Sequence, residues 1–147
     1  MILRLLLFIS IFTFSKISSA EYINIGILNS KKITEFTFSV RAGKYAIFSS
    51  KGKVKDLSSG ESVVIKSSLA TISVFQNGKL IGNYNKVNLM GLGWYNHFMI
   101  GSKQLSNLDR RYDDNLKVSY NSGQLTLINN IDLDNYENAS SATNNLK

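Results

Sequence analysis

The chain has no cysteine and no proline, and only one histidine and one tryptophan among 147 residues. Without cysteine there is no thiol nucleophile, no disulfide framework and no thiolate ligand for a metal. A multi-histidine metal site is equally out of reach, so neither a metal nor a cofactor is assigned. A Ser-His-Asp triad would have to use His97, which stands beside Trp94, Tyr95 and Phe98 and reads as a satisfied structural histidine. Gly91-Leu92-Gly93 lacks the third glycine, the Lys-Ser/Thr ending and the following helix of a phosphate loop. The lack of proline does not favour helix, because β-branched and aromatic residues dominate and no apolar stripe is sustained at helical spacing.

The one strongly apolar stretch is at the start. Arg4 is followed by an apolar run from Leu5 to Ile9, which resumes at Ile11 and ends near Phe14. This is about half the length of roughly 20 residues that a membrane-spanning helix requires. Ser18, Ser19 and Ala20 then supply the small residues of a signal-peptidase site, with cleavage expected before Glu21. Residues 1–20 are therefore read as a secretory signal peptide and the chain as exported, to a bacterial periplasm or cell-wall exterior. No stable membrane anchor is expected after cleavage, since there is no cysteine at the cut to carry a lipid. Removing 20 residues from 147 leaves 127, which suits one domain with a real core. The leader also takes Arg4 and Lys16, so the formal charge falls from +7 by two, to +5.

That basic excess is spread through turns. Lys31-Lys32 and Lys51, Lys53 and Lys55 are separated by neutral residues, which argues against nucleic acid as a partner. It reads either as a solvated surface or as affinity for an anionic wall polymer or lipid surface.

From Tyr22 to Tyr136 short apolar runs alternate with Gly, Asn, Ser and Lys clusters, the pattern of a mainly β protein. Ile23, Ile25 and Ile27 share one face of a first strand, and Phe36, Phe38 and Val40 repeat the alternation. Further strands are predicted over Lys44 to Ser49, around Val54, and over Val63 to Lys66, Thr71 to Gln76 and Lys79 to Tyr84. Asn77-Gly78 joins the last two as a type I′ hairpin. Met90 to Tyr95, interrupted by glycine, is expected to bend or cross the sheet, and Ser102 to Asp109 reads as a loop. Leu116 to Tyr120 and Gln124 to Ile128 flank Asn121-Ser122-Gly123, a hairpin of three-residue type, and a short helical turn is expected after Leu133. The whole is expected to be an antiparallel barrel- or sandwich-like domain over 21–136. The polar tail at 137–147 is expected to be disordered.

Carboxylates are the remaining source of chemistry, since one of raised pKa can protonate a glycosidic oxygen and two can share acid and base duties. Asp109, Asp113, Asp114, Asp132, Asp134 and Glu137 lie in the last third of the chain. Each taken singly reads as a solvated turn or strand-edge group, and no catalytic residue is assigned.

Two segments carry a resemblance. Arg111-Tyr112-Asp113-Asp114-Asn115-Leu116-Lys117-Val118, followed by Leu125 to Tyr136, is similar to the stage II sporulation protein D family and its amidase-enhancer relatives. There a Tyr-Arg-Gly-x-Leu strand forms a hairpin with a strand running into Asn-x-[apolar]-x-Leu-[Asp/Glu]-x-Tyr. Tyr112 and Leu116 match the first element, and Asn129, Ile131, Leu133, Asp134 and Tyr136 the second. The resemblance implies an exported lytic transglycosylase, which cleaves peptidoglycan glycan strands with a glutamate as general acid and base. Here the Arg-Gly pair is Asp113-Asp114, and Glu137 follows Tyr136 too early to be that glutamate. The apolar segment and Ala-Arg-Thr-Tyr helix that complete the family's site are absent. The expectation is an N-terminal half truncated before its catalytic core and inactive. An alternative is a non-catalytic wall-glycan-binding module using Trp94, Tyr95, Tyr112 and Tyr120, although a place in the core is the preferred reading of these rings. A third is a fragment left unstable by an uncovered sheet edge.

Overall fold

The computed structural model describes residues 21–103 and 110–134. The leader at 1–20, Asp109, Tyr136, Glu137 and the tail at 137–147 lie outside the described residues. Twelve strands are found among them, in two six-stranded antiparallel sheets. One sheet contains β1 (Tyr22–Ile27), β3 (Lys44–Ser49), β4 (Gly52–Ser58), β8 (Lys86–Gly91), β11 (Asn115–Asn121) and β12 (Gln124–Asp132), in the order β1-β12-β11-β8-β3-β4. The other contains β2 (Glu35–Ala42), β5 (Ser62–Ser68), β6 (Thr71–Gln76), β7 (Lys79–Tyr84), β9 (His97–Gly101) and β10 (Arg110–Asp113), in the order β10-β9-β2-β5-β6-β7. The protein is thus a mainly β, sandwich-like domain, as the period-2 pattern implies. Strands β8, β9 and β10 are additions to the sequence reading, although Val87/Leu89 and Phe98/Ile100 alternate as clearly as the strands it named.

The two sheets share more than a core. The orders β10-β9-β2-β5 and β11-β8-β3-β4 run in parallel, so that chain passes from one sheet to the other at four adjacent crossings. Two crossings use one residue each, Gly43 between β2 and β3 and Asp114 between β10 and β11. Of the stretch from Met90 to Tyr95 expected to bend or cross, Met90 and Gly91 end β8, and residues 92–96 make a third crossing. These crossings, with the Asn77-Gly78 hairpin, form what is called here the corner rim. The opposite rim carries the β1–β2 loop and the β3–β4, β5–β6, β7–β8 and β11–β12 turns.

Between the sheets the inward residues of each strand form one apolar core, with Phe36, Phe38, Ile47, Ile65, Leu89, Phe98 and Val118 essentially inaccessible. Burying each such side chain contributes about 1.5–3 kcal/mol. Phe38, Tyr45 and Phe98 form its aromatic centre, with the Phe38 and Phe98 rings stacked at 4.8 Å and Tyr45 edge-on to Phe38 at 5.2 Å. Tyr112 stacks on Phe98 at 5.5 Å.

Three hairpins turn on two residues of positive φ. Asn77 (φ 50°) and Gly78 (φ 75°) do so as expected. The β11–β12 turn is a correction: Asn121 pairs with Gln124, leaving a two-residue loop in which Ser122 (φ 48°) takes the place usually given to asparagine. Leu69 (φ 39°) and Ala70 (φ 68°) form the same shape with neither asparagine nor glycine.

Among the described residues, three of the four sheet edges carry features that protect against pairing with other chains. Strand β4 carries Lys53 and Lys55 beside a bulge, β7 opens on Lys79 beside another, and β10 has four residues, two of them arginine. Strand β1 has no charge, proline or bulge, and its Ile23 and Ile25 are 38% and 42% exposed, so only Ile27 of that apolar face is buried.

Candidate functional site

The corner rim is built on side-chain amides. Asn96, only 5% exposed, accepts a hydrogen bond at Oδ1 from the Lys44 N–H (3.2 Å) and donates from Nδ2 to the Gly93 carbonyl (2.7 Å). Its own carbonyl accepts from the Asp114 N–H at 3.2 Å, and the Leu92 N–H donates to the Lys44 carbonyl at 2.8 Å. Loop 92–96 is thereby tied to the crossings at Gly43 and Asp114.

Asparagines on the neighbouring strands continue the frame. Asn129 donates from Nδ2 to the carbonyls of Asp113 (2.7 Å) and Asn115 (2.9 Å), clasping the crossing at Asp114 from below. Asn115 accepts from the Gly91 N–H at 2.9 Å, and Asn130 donates to Asn24 at 3.0 Å. Asp114, at φ 60°, accepts the Asp132 N–H on Oδ2 at 2.9 Å. Backbone groups freed where strands leave a sheet are thus satisfied by short polar side chains.

On this frame the loop presents Trp94 at 94% exposure and Tyr95 at 65%, beside Leu92. The Tyr95 ring stands edge-on to His97 at 4.2 Å, and its hydroxyl accepts from Arg111 Nη2 at 3.3 Å. His97 Nδ1 is bonded to Asp113 Oδ1, while its Nε2 is buried and has no partner among the described residues. The histidine is therefore structural on one side only. No serine hydroxyl reaches Nε2 among the described residues, so His97 and Asp113 make a pair without a nucleophile.

The sequence candidates divide on this geometry. Trp94 and Tyr95 stand together in solvent, which corrects the expectation of core, because the loop that carries them crosses outside both sheets. Tyr112 is half-buried against Phe98, and burial pushes its phenol pKa up against the opposing pull of Arg110. Tyr120 packs on the core five residues along β11 from Asn115, about 17 Å from the corner rim, and does not join the patch. Of the motif residues, Leu116 is buried, Asn129 clasps the corner, and Ile131 is half-buried on β12. Leu133 and Asp134 follow β12 in helical conformation, and the rest of the turn expected after Leu133 lies outside the described residues.

Asp113, Asp114, Asp132 and Asp134, each read singly as a solvated turn or strand-edge group, are gathered at this rim by the topology. Asp114 and Asp132 line a cleft of about 70 Å³ with Tyr22, Gly93, Asn96 and Asn115, too small for a sugar ring. A groove of about 460 Å³ on the outer face of the other sheet, beside Thr37, Val64, Gly101 and Lys103, has no exposed aromatic face and adjoins residues outside those described. Among the described residues no three His, Cys, Asp or Glu side chains are arranged to hold a metal ion. Sequence reasoning missed Arg111 and Asn96, whose roles depend on the crossing of the sheets. The pairing of Trp94 with glycine at 93 (φ 112°) was the one local signal of a presented loop.

Comparison with protein-family models, curated proteins and solved structures found no match for this chain.

Proposed function

We propose that the chain is a non-catalytic saccharide-binding module that recognises wall glycan through the 92–96 loop. The observation that carries this reading is Trp94, almost wholly in solvent on a loop whose backbone is fixed by Asn96. Leaving a large apolar ring in water has no structural benefit to the monomer, and a rigid aromatic platform binds with little loss of side-chain entropy. Tyr95, held by Arg111 and His97, supplies a second face, and Arg111 and Asp113 bring polar groups to its border. Flat apolar faces rimmed by hydrogen-bonding groups suit a pyranose, which has an apolar face and a hydroxylated edge.

The resemblance to the stage II sporulation protein D family favours peptidoglycan strands as the glycan. One feature agrees with it: Asp114 takes a left-handed φ at the position where that family's pattern has glycine. Export to the wall compartment, expected from residues 1–20, would bring the module to that glycan.

Trp94 is the single tryptophan, so its fluorescence reports on this loop alone. Purified, peptide-free glycan strands are expected to quench and shift its emission in a saturable way. Trp94→Ala is expected to weaken retention on those strands about 30-fold, corresponding to roughly 2 kcal/mol for a hot-spot aromatic. Unchanged retention of a folded Trp94→Ala chain would remove the reading. Anhydro-muramyl products on incubation would refute the absence of catalysis.

A further inference from the structure

Charge is sorted between the two rims. Glu21, Glu61, Asp113, Asp114, Asp132 and Asp134 stand at or just beyond strand ends on the corner rim, where they outnumber the basic Arg41, Lys44, Lys79 and Arg111. On the opposite rim are Lys31 and Lys32 in the β1–β2 loop, Lys51 and Lys53 at the β3–β4 turn, Lys86 at the start of β8 and Lys103 after β9, all exposed. Among the described residues the carboxylate there is Glu35, which is engaged by Lys66 at 2.9 Å. Lys53 is paired with Asp56, whereas Lys31, Lys32, Lys51, Lys86 and Lys103 have no carboxylate partner among the described residues. Lysines that look dispersed along the chain are therefore one basic rim in the fold.

That rim also carries an apolar side chain in an unusual setting. Leu69, at the tip of the β5–β6 hairpin, is 99% exposed, and it and Ala70 both hold a positive φ. Such a conformation is disfavoured for side chains other than glycine and asparagine, so neither solubility nor turn chemistry accounts for a leucine there. The hairpin stands beside the lysine-bearing loop, since the Ser67 N–H donates to the Thr34 carbonyl at 2.8 Å. The β11–β12 hairpin is tied to the same loop by the Leu125 N–H and the Ile33 carbonyl at 2.7 Å.

We propose that the basic rim docks on an anionic phospholipid surface, with Leu69 entering the interfacial region and the surrounding lysines facing lipid phosphates. The basic rim is complementary to such a surface, and the excess of carboxylates on the corner rim opposes binding in the inverted orientation. An anionic wall polymer would satisfy the lysines equally but gives an apolar tip nothing to enter, which selects lipid. Docked this way, the domain holds the 92–96 loop away from the bilayer. The interaction is independent of whether that loop binds glycan.

The test is co-sedimentation of the full chain with vesicles of phosphatidylglycerol mixed with phosphatidylcholine, and with phosphatidylcholine alone. The difference between the two is the quantity of interest, because the apolar stretch at 5–14 contributes to both. Binding to the anionic vesicles is expected to exceed binding to the neutral ones and to fall as salt rises. Each lysine removed near the surface is expected to weaken it about fivefold, so Lys31→Glu/Lys32→Glu should abolish the difference. Lys44→Glu/Lys79→Glu changes net charge equally but lies on the corner rim, and is expected to retain it. Leu69→Asn, which suits the turn and keeps the fold, should lower binding to anionic vesicles severalfold. Equal binding to both vesicle types, equal loss in the two double variants, or an unaltered Leu69→Asn chain would overturn the proposal. So would saturable binding to soluble poly(glycerol phosphate) with no preference for anionic vesicles.

Discussion

Asn96 occupies the space that a side chain on Gly43 would need: a Cβ built there lies 2.3 Å from Asn96 Oδ1 and 2.4 Å from the Tyr95 carbonyl. Gly43 also holds a φ of 74°, so that one residue turns the chain between sheets and leaves room for the amide that secures the aromatic loop. Gly43→Ala is expected to cost about 3 kcal/mol, from the left-handed backbone together with the collision. The midpoint of thermal unfolding should fall by roughly 10 °C. Asn96→Ala has no collision to relieve, but it leaves the Lys44 N–H and the Gly93 carbonyl without their side-chain partner. It is expected to cost about 2 kcal/mol and to increase Trp94 mobility, read as lower fluorescence anisotropy at unchanged secondary structure.

Asn129 donates to two carbonyls on either side of the Asp114 crossing, a task that requires both hydrogens of one amide. Asn129→Asp keeps the size and removes both donors, setting a carboxylate against two carbonyl oxygens. Asn129→Ala removes the donors without adding a charge. The expected order of stability in urea denaturation is wild type, then Ala lower by about 2 kcal/mol, then Asp lower still. An Asp variant as stable as wild type would show that the clasp does not hold the crossing.

The sequence carried most of the strands where local pattern and local chemistry coincide, and β8 and β9 were legible in the same alternation although they were not read from it. Phe36, Phe38 and Val40 alternate because one face of β2 is core, and Asn77-Gly78 turns because both residues tolerate positive φ. It was silent where the cause is tertiary. Leu69-Ala70 adopts the same turn without the residues that announce it. Arg110 to Asp113 is too short a strand to show a period, and it exists through its pairing with β9. The site divides in the same way. Aromatics near residues 94 and 95 were visible, but core is the preferred reading of an aromatic in a β protein. Only the crossing of β8 into β9 outside both sheets decides for surface. Tyr120 shows the converse, since its place on the inward face of β11 puts it on the core. Sorting of charge between the rims was hidden entirely, because strand reversal sends residues close in sequence to opposite ends.

The strained hairpin at Leu69-Ala70 predicts a variant more stable than the parent. Leu69→Asn/Ala70→Gly installs the pair already used at residues 77 and 78, and both tip residues hold positive φ. Relieving two left-handed non-glycine residues is expected to raise stability by about 1–2 kcal/mol. Chemical denaturation should show a higher midpoint with unchanged slope, since the surface exposed on unfolding scarcely alters. No gain would mean that the turn is unstrained, which removes the case that Leu69 is kept there for a purpose other than folding.

Tyr45 gives the protein an alkaline limit. Its ring completes the aromatic centre, but its hydroxyl is buried without a hydrogen-bond partner among the described residues. Burial, reinforced by the nearby carboxylates of Asp114 and Asp113, pushes its pKa far above the ordinary tyrosine value of 10.0. The folded state therefore keeps this proton at pH values where the unfolded chain gives its own up. The resulting stability is intact below about pH 10 and is lost progressively as pH rises from there toward the folded-state value. In that window the slope contributed by this one group is about −1.4 kcal/mol per pH unit. Tyr45→Phe keeps the ring and removes both the titration and the unpaired hydroxyl. At neutral pH it is expected to be neutral or stabilising by up to about 1 kcal/mol. Its stability in denaturant titrations between pH 9 and pH 11 should decline less steeply than that of the wild type. A parallel decline in the two proteins would show that other groups set the alkaline limit.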